Sequence, residues 1–221
     1  MLTDNGPVMG IILAGGRASR LGFREKALVE LHGRPLVGHV IERLATQVDG
    51  LWLNVNREQA HYQRFGLPII GDAPVFADMG PLSGIHASLE AFERHTPEDG
   101  WLAVAACDSP WLPLDLVDRL IAAARTASLP AAVACENGRT HPTFSVLHSS
   151  LLPSVDRHLR RNELAFGRWL ATLPAAQADF SDQPEAFGNL NTIAELEAAN
   201  RSPTTVTERI IATRGEKSPC S

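Results

Sequence analysis

The sequence predicts a single α/β domain in which helices cover both faces of a mainly parallel, doubly wound sheet. Short apolar segments rich in branched side chains alternate along the chain with helical patterns, which is typical of β-α-β units. The chain has 221 residues, of which 44% are hydrophobic and 20% are charged, so it can bury one core but is short for two large domains. The predicted strands of this sheet are residues 8–13, 51–55, 68–70, 102–106 and 131–134.

Three segments between these strands have the apolar spacing of crossover helices. Residues 35–48 place apolar side chains on one helical face, and Pro35 suits the first turn because its missing N–H needs no partner there. Residues 82–94 and 114–125 follow the same spacing. These helices therefore connect the strands of the predicted parallel sheet.

The second half of the chain is less regular. Thr192 and Glu195 have the spacing of a capping box, which predicts a final helix to about Asn200. Beyond that point, residues 201–221 are rich in polar, basic and proline residues, and we expect them to be a C-terminal tail outside the domain. Before the capping box we predict a strand at 143–147, helices at 149–160 and 163–170, and an irregular segment at 179–191.

The composition limits the class of protein. A formal net charge of −5 argues against a broad nucleic-acid surface. No window approaches the roughly 18 apolar residues of a membrane helix, and the N-terminus lacks the basic segment of a secretory signal. The three cysteines cannot form a disulfide framework. We therefore expect a cytoplasmic protein that binds neither nucleic acid nor membranes.

The loop after the first predicted strand indicates an anionic ligand. Gly15 and Gly16 remove two side chains at the carboxyl end of that strand, where ligands bind in open α/β sheets. Four cations follow within a short stretch of an acidic protein, which favours a phosphorylated ligand. The spacing fits neither a Walker A loop nor a dinucleotide fingerprint. The four cations are Arg17, Arg20, Arg24 and Lys26.

Three polar residues lie at the ends of other predicted strands. Asp108 follows an apolar run, and a carboxylate beside phosphates needs a cation such as Mg²⁺ between them. Asp72 and Asn54 occupy comparable positions; guanine carries N1–H and N2–H₂ donors, so its recognition needs an acceptor of this kind. In isolation, Asp108 and Asp72 also suit turns and Asn54 suits a strand-end cap.

The pattern L-A-G-G-x-x-x-R-x-G-x-x-x-K at residues 13–26 resembles the opening motif of nucleotidyltransferases, most closely the molybdenum cofactor guanylyltransferases of MobA type. The resemblance continues in the family's order to about residue 200. It implies a Rossmann-like fold of the nucleotide-diphospho-sugar transferase type, with a nucleotide-binding half at about 8–110 and an acceptor-binding half at about 111–200. Further segments that carry the resemblance are residues 31–36, 54–57, 71–72, 80–84, 107–110, 141–143 and 189–192.

The resemblance also implies roles for individual residues. Arg20 and Lys26 would act on the triphosphate and the leaving pyrophosphate, and Asp108 would be catalytic and hold Mg²⁺. His141, Asn189 and Asn191 would meet the acceptor, although His141 also suits a structural hydrogen bond and the asparagines also suit caps of the last helix. The implied nucleotide-binding residues are Leu13, Ala14, Gly15, Gly16, Lys26, Asn54, Asp72, Gly84 and Asp108.

The implied reaction is transfer of GMP from GTP to the terminal phosphate of molybdenum-bound molybdopterin, with release of pyrophosphate and Mg²⁺ as cofactor. Molybdoenzyme chaperones or apo-enzymes are the implied partners. Three alternatives remain: a CTP-dependent molybdopterin cytidylyltransferase, a sugar-phosphate nucleotidyltransferase and a non-catalytic nucleotide sensor. The run Ala14-Gly15-Gly16 favours guanine, because the cytosine branch tends to show A-A-G there.

Overall fold

The computed structural model describes residues 6–15 and 25–201. The strands in this part are β1 Val8–Leu13, β2 Glu30–Leu31, β3 Arg34–Pro35, β4 Gly50–Asn54, β5 Ile69–Ile70, β6 Trp101–Ala106, β7 Ala131–Glu136, β8 Arg139–His148 and β9 Ala175–Asp179. The helices are α1 Leu36–Leu44, α2 Pro81–His95, α3 Leu116–Ala127, α4 Leu152–Arg160, α5 Phe166–Ala171 and α6 Ile193–Arg201. Arg201, which was predicted to begin the tail, is the last residue of α6. The rest of the predicted tail, residues 202–221, lies outside the described ranges, and so do Gly16, Arg17, Arg20 and Arg24.

Seven of these strands form one sheet in the order β5-β4-β1-β6-β8-β7-β9. The first four run parallel to one another, whereas β8 is antiparallel to both of its neighbours and β9 is parallel to β7. Strands from the first half of the chain occupy one side of the sheet, and strands from the second half occupy the other. The prediction of a mainly parallel sheet is confirmed.

Helices cover both faces of the sheet, as predicted, because its central strands bury side chains in both directions. On one face Ile12 packs with Val40 of α1 and Leu120 of α3 in a single apolar cluster. On the other face Ile11 packs in a second cluster with residues of α2, α4 and α5. The continuous apolar run of β1 is therefore the signature of a strand covered on both sides.

The last helix, α6, packs against the short hairpin near the N-terminal end of the domain. The predicted capping box is present: the Thr192 N–H donates to Glu195 Oε2 at 2.8 Å, and the Glu195 N–H donates to Thr192 Oγ1 at 3.2 Å. Ala199 of α6 packs with Leu31 and Leu36, so the helix covers the short hairpin formed by β2 and β3. Within the described ranges, no helix is both long and apolar enough to cross a membrane.

Several predicted boundaries were wrong. The helix predicted at 35–48 ends at Leu44, and Pro35 belongs to β3. The helix predicted at 149–160 begins with a 3-10 turn, Ser149–Leu151, before α4. The strand β9 was not predicted, because four of its five side chains are Ala or Gln with little strand preference and its pairing with β7 is long-range.

Candidate active site

The carboxyl ends of four parallel strands meet at one edge of the sheet. Leu13 at the end of β1 lies level with Asn54 on one side and with Ala106 on the other. Ile70 at the end of β5 lies beside Asn54. The residues that follow these strands are thereby brought together although they are far apart in sequence.

A cavity of about 610 Å³ opens at this edge. Most of the predicted nucleotide-binding residues within the described ranges contribute to its wall. They are Leu13, Gly15, Lys26, Asn54, Asp72 and Asp108. Residues from both halves of the chain contribute, since Thr143 of the antiparallel strand β8 also lines the cavity.

Lys26 lies at the centre of a polar cluster in the wall. Its Nζ forms an ion pair with Asp108 Oδ2 and donates a hydrogen bond to Asn191 Oδ1. The Lys26 and Asp108 side chains are only 12% and 13% exposed to solvent, respectively. An ammonium group has three donors, so one remains after these contacts for an anionic ligand. The cluster joins a nucleotide-side loop, a strand end and the segment before α6.

Asn54 and Asp72 form a second cluster on the opposite side of β1. The Asn54 side-chain N–H groups donate to Ile70 O and to Asp72 Oδ1, both at 3.0 Å. The other carboxylate oxygen of Asp72 accepts from Ser83 Oγ at 2.7 Å. Asn54 is buried, and these contacts hold its amide N–H groups. Both residues line the cavity, and the Asp72 carboxylate keeps free acceptor capacity there.

Three predicted nucleotide-binding residues contribute through the backbone or through packing. Ala14 is fully buried, and its N–H donates to Asn54 O at 3.0 Å. A Cβ on Gly15 would approach Asn56 Nδ2 only to 3.6 Å among the described residues, so protein packing there does not require glycine. Gly84 does not line the cavity; a Cβ there would lie 2.3 Å from Asn54 Oδ1, so its missing side chain admits the Asn54 amide.

The predicted acceptor residues do not form one group. The His141 ring stacks on Phe187 at 4.7 Å between centroids, and its Nε2 lies 3.6 Å from Glu136 Oε2, beyond hydrogen-bonding distance. Burial of the imidazole lowers the pKa of His141, although Glu136 opposes this. Asn189 accepts from Ser109 Oγ at 2.5 Å, and Asn191 accepts from Lys26. The two asparagines therefore organise the residues around Asp108.

Two further groups near the cavity have structural roles. Cys107 lines it, but burial raises the pKa of the thiol, which makes a thiolate nucleophile unfavourable. Tyr62 is buried and donates from its hydroxyl to Glu25 Oε2 at 3.0 Å. This bond fixes the chain immediately before Lys26. Burial next to that carboxylate raises the pKa of Tyr62, so the phenol stays protonated as the donor.

Some residues of the cavity were not predicted. Asn56 accepts from the Asp72 N–H at 2.7 Å, and Arg57 forms an exposed ion pair with Asp78 at 2.8 Å. Asn56 and Arg57 follow β4 directly, so the rule that ligands meet the ends of strands could have selected them. Asp78 adopts a left-handed conformation with φ of 60° in a loop, and no sequence pattern indicates that it turns toward Arg57.

The donor set around Asp108 fits a magnesium ion that is shared with phosphate. Mg²⁺ is commonly held by one or two carboxylates together with substrate phosphate oxygens, rather than by a complete protein cage. Asp108 offers one such carboxylate to the cavity. Within residues 6–15 and 25–201, no group of three or more His, Cys, Asp or Glu side chains is arranged to hold a metal ion.

Comparison with known proteins gives consistent matches over the same region. Residues 10–177 match the family described as the MobA-like NTP transferase domain. A molybdenum cofactor guanylyltransferase of Yersinia pseudotuberculosis is 38% identical over 190 residues, which are 86% of this chain and 93% of that protein.

Solved structures share the fold at lower identity. Molybdopterin-guanine dinucleotide biosynthesis protein A of Archaeoglobus fulgidus matches with a TM-score of 0.71 at 22% identity, over 87% of this chain and 97% of that one. A 4-diphosphocytidyl-2C-methyl-D-erythritol synthase of Anaerococcus prevotii matches with a TM-score of 0.68 at 11% identity, over 88% and 94%. Since the family match spans most of the chain and the Yersinia protein is similar over nearly all of its length, the chain belongs to the MobA-like NTP transferase family.

Proposed function

We propose that this protein transfers GMP from GTP to the terminal phosphate of molybdenum-bound molybdopterin, which forms the guanine dinucleotide cofactor and releases pyrophosphate. The observation that carries the proposal is the cavity at the sheet edge, in which a lysine, a strand-end carboxylate and a fixed acceptor carboxylate converge. The 38% identity to a molybdenum cofactor guanylyltransferase supports this choice of substrates.

The chemistry needs positioning more than proton transfer. An oxygen of the acceptor phosphate attacks the α-phosphorus of GTP, and the bond from that phosphorus to the bridging oxygen of pyrophosphate breaks. A phosphate monoester is already a competent nucleophile near neutral pH, so no strong base is required. Catalysis then rests on holding two anions in line and stabilising the charge that develops.

The described residues suit these tasks. Lys26 has a free donor for the triphosphate or the leaving pyrophosphate. Asp108 would hold Mg²⁺, which when bound supplies neutralisation of phosphate charge. Arg20 lies outside the described ranges, and we assign it to the triphosphate on the resemblance of its motif alone.

The arrangement of the sheet supports the assignment of the two substrates to different halves of the chain. We assign the nucleotide to about residues 8–110, whose strands carry Asn54, Asp72 and Asp108 at one edge. We assign the acceptor to about residues 111–200, where His141 lies on β8 near that edge. We further propose that the reaction takes place in the cytoplasm and that the product passes to molybdoenzyme chaperones or apo-enzymes.

Pyrophosphate release tests the proposal directly. The purified protein is given Mg²⁺, molybdate-loaded molybdopterin and one of GTP, CTP or ATP. We expect release with GTP and none with ATP; release with CTP instead would replace the guanine assignment with cytosine. Omission of molybdopterin should abolish release, because the acceptor phosphate is the nucleophile.

A variant at Asp108 tests the metal assignment. Asp108→Asn keeps an oxygen that can accept from Lys26 but removes the carboxylate charge, and we expect the activity at any Mg²⁺ concentration to fall by about 100-fold or more. Asp115→Asn is the matched control, because Asp115 is half-exposed and pairs with Arg119 away from the cavity. Equal Mg²⁺ dependence in Asp108→Asn and wild type would refute the assignment.

A further inference from the structure

Ser83 holds one oxygen of the Asp72 carboxylate from the first turn of α2. Its Oγ lies 2.7 Å from Asp72 Oδ2, while Asn54 Nδ2 lies 3.0 Å from Asp72 Oδ1. Ser83 is fully buried and Asn54 is 4% exposed, so neither donor can exchange freely with water. Each oxygen of the carboxylate therefore accepts a hydrogen bond from a buried side chain, and these two bonds fix its orientation.

The Ser83 hydroxyl has only one proton but two nearby acceptors. Its Oγ is also 2.6 Å from Gly80 O. That carbonyl already accepts from the Ser83 N–H at 3.2 Å, whereas an ionised carboxylate draws the stronger hydrogen bond. On this ground we assign the hydroxyl proton to the bond with Asp72.

Asn54 cannot turn to meet a ligand, which leaves this task to Asp72. Both side-chain hydrogens of Asn54 are used by Ile70 O and by Asp72, and its Oδ1 lies where a Cβ on Gly84 would come within 2.3 Å. Each oxygen of Asp72 accepts one hydrogen bond from these side chains, whereas a carboxylate can accept about four in all. Its remaining lone pairs are available at the cavity wall.

We propose that Ser83 is a positioning residue for base specificity, which holds the Asp72 carboxylate in the orientation that accepts from the N1–H and N2–H₂ donors of guanine. The inference rests on the proposed function. Adenine has an acceptor at N1 and no amino group at C2, so a fixed carboxylate would repel it.

Substitution of Ser83 by alanine removes one donor and little volume. For Ser83→Ala we expect GTP affinity, measured by calorimetry without acceptor, to weaken by about tenfold, in keeping with the loss of one charge-assisted hydrogen bond. ATP affinity should not weaken, so the ratio of GTP to ATP affinity falls by the same factor. The KM for GTP should rise while kcat stays as in wild type, because Ser83 makes no contact with Lys26 or Asp108.

Ser88→Ala is the matched control. Ser88 is a fully buried serine one turn further along α2, and its hydroxyl donates to a backbone carbonyl, Gly84 O, at 2.6 Å. This variant tests the loss of a buried serine hydroxyl without loss of a contact to Asp72, and it should keep the base preference of wild type. Should Ser83→Ala fail to fold, Ser83→Cys keeps a donor that is weaker and somewhat larger, and it should show the same direction of change.

Two results would overturn the inference. Equal weakening of GTP and ATP by Ser83→Ala would mean that Asp72 does not read the base, and unchanged affinities for both would mean that Ser83 does not position it. A wild-type protein that does not prefer GTP refutes the proposed function itself, and the inference with it; that failure is recognised before any variant is made.

Discussion

Lys26 and Asp108 form an ion pair across 82 residues of sequence, and Asn191 accepts a second hydrogen bond from the same ammonium group. The pair sits at the wall of the cavity rather than in the apolar core. Its members are therefore placed for a ligand, and the energetic consequence of removing either one should appear mainly in activity.

Replacement of Lys26 by methionine tests this view. We expect Lys26→Met to lower kcat/KM for GTP by about 100-fold or more, the scale for loss of one charge-stabilising group. The free energy of unfolding should change by no more than about 1–2 kcal/mol, because Asp108 can gain water from the cavity. Arg34→Met, which removes the cation of the exposed Arg34–Glu42 pair, is the control and should leave kcat/KM unchanged. A stability loss in Lys26→Met as large as its activity loss would contradict a ligand-binding role.

A double-mutant cycle decides what Asn191 does. Because Asn191 contacts Lys26, we expect Asn191→Ala to lower pyrophosphate release by about fivefold to tenfold, the scale of one hydrogen bond to a charged group. In the Lys26→Met background the same substitution should have almost no further effect. The measurement is initial rate at saturating acceptor. Fully additive losses would instead assign Asn191 to the acceptor.

Gly84→Ala should damage the nucleotide site through Asn54. The added Cβ would lie 2.3 Å from Asn54 Oδ1 and 2.7 Å from its Cγ, and the amide is too well bonded to move freely. We expect a net loss of about 1–3 kcal/mol in unfolding free energy, despite the higher helix propensity of alanine, and weaker GTP binding. Denaturant titration and calorimetry measure the two effects.

Gly38→Ala is the control for that substitution. Gly38 is also a helical glycine, in α1, but a Cβ there meets the Arg34 side chain, with its Nε at 3.1 Å. Since an arginine side chain can shift, Gly38→Ala should be neutral or stabilising by up to about 1 kcal/mol. If Gly84→Ala matched wild type in unfolding free energy and in GTP affinity, the close packing of Gly84 against Asn54 would have no role in nucleotide binding.

His148 should make stability depend on pH. Its Nδ1 accepts from the Ser150 N–H at 3.3 Å, and burial is the main cause that lowers its pKa below the ordinary value of 6.5. The folded state therefore resists a proton that the unfolded chain accepts, so stability is lost as the pH falls below about 6.5 and through the folded pKa. We expect the difference in unfolding free energy between pH 8 and pH 5.5 to be smaller in His148→Gln than in wild type.

Ser150→Ala keeps the buried imidazole and is the control for the pH experiment. It removes the Ser150 Oγ contact to His148 Nδ1 at 2.8 Å, so it should lower stability at both pH values. It should keep most of the wild-type loss between them, because burial is the main cause of the lowered pKa of His148. Urea titrations at the two pH values give both numbers. An unchanged pH dependence in His148→Gln would show that other groups, such as the half-buried His141, account for the acid-side loss.

Local sequence patterns were sufficient to predict the sheet class, the capping box of α6 and the residues that meet at the strand ends. These features depend on local patterns: apolar runs for buried strands, helical spacing for crossovers and polar residues directly after strands. Lys26, Asn54, Asp72 and Asp108 were selected in this way, with the family resemblance, and all four line the cavity.

The separate roles of those residues depend on tertiary contacts that no local pattern predicts. Three such contacts define the site. Ser83 donates a hydrogen bond to Asp72, and Asn191 accepts one from Lys26. The missing side chain of Gly84 leaves space for Asn54. The same holds for β9, whose pairing with β7 adds the last strand of the sheet. Such contacts produce no periodic pattern of residue types from which they could be predicted. They depend on side-chain direction and on the register of strands from distant parts of the chain.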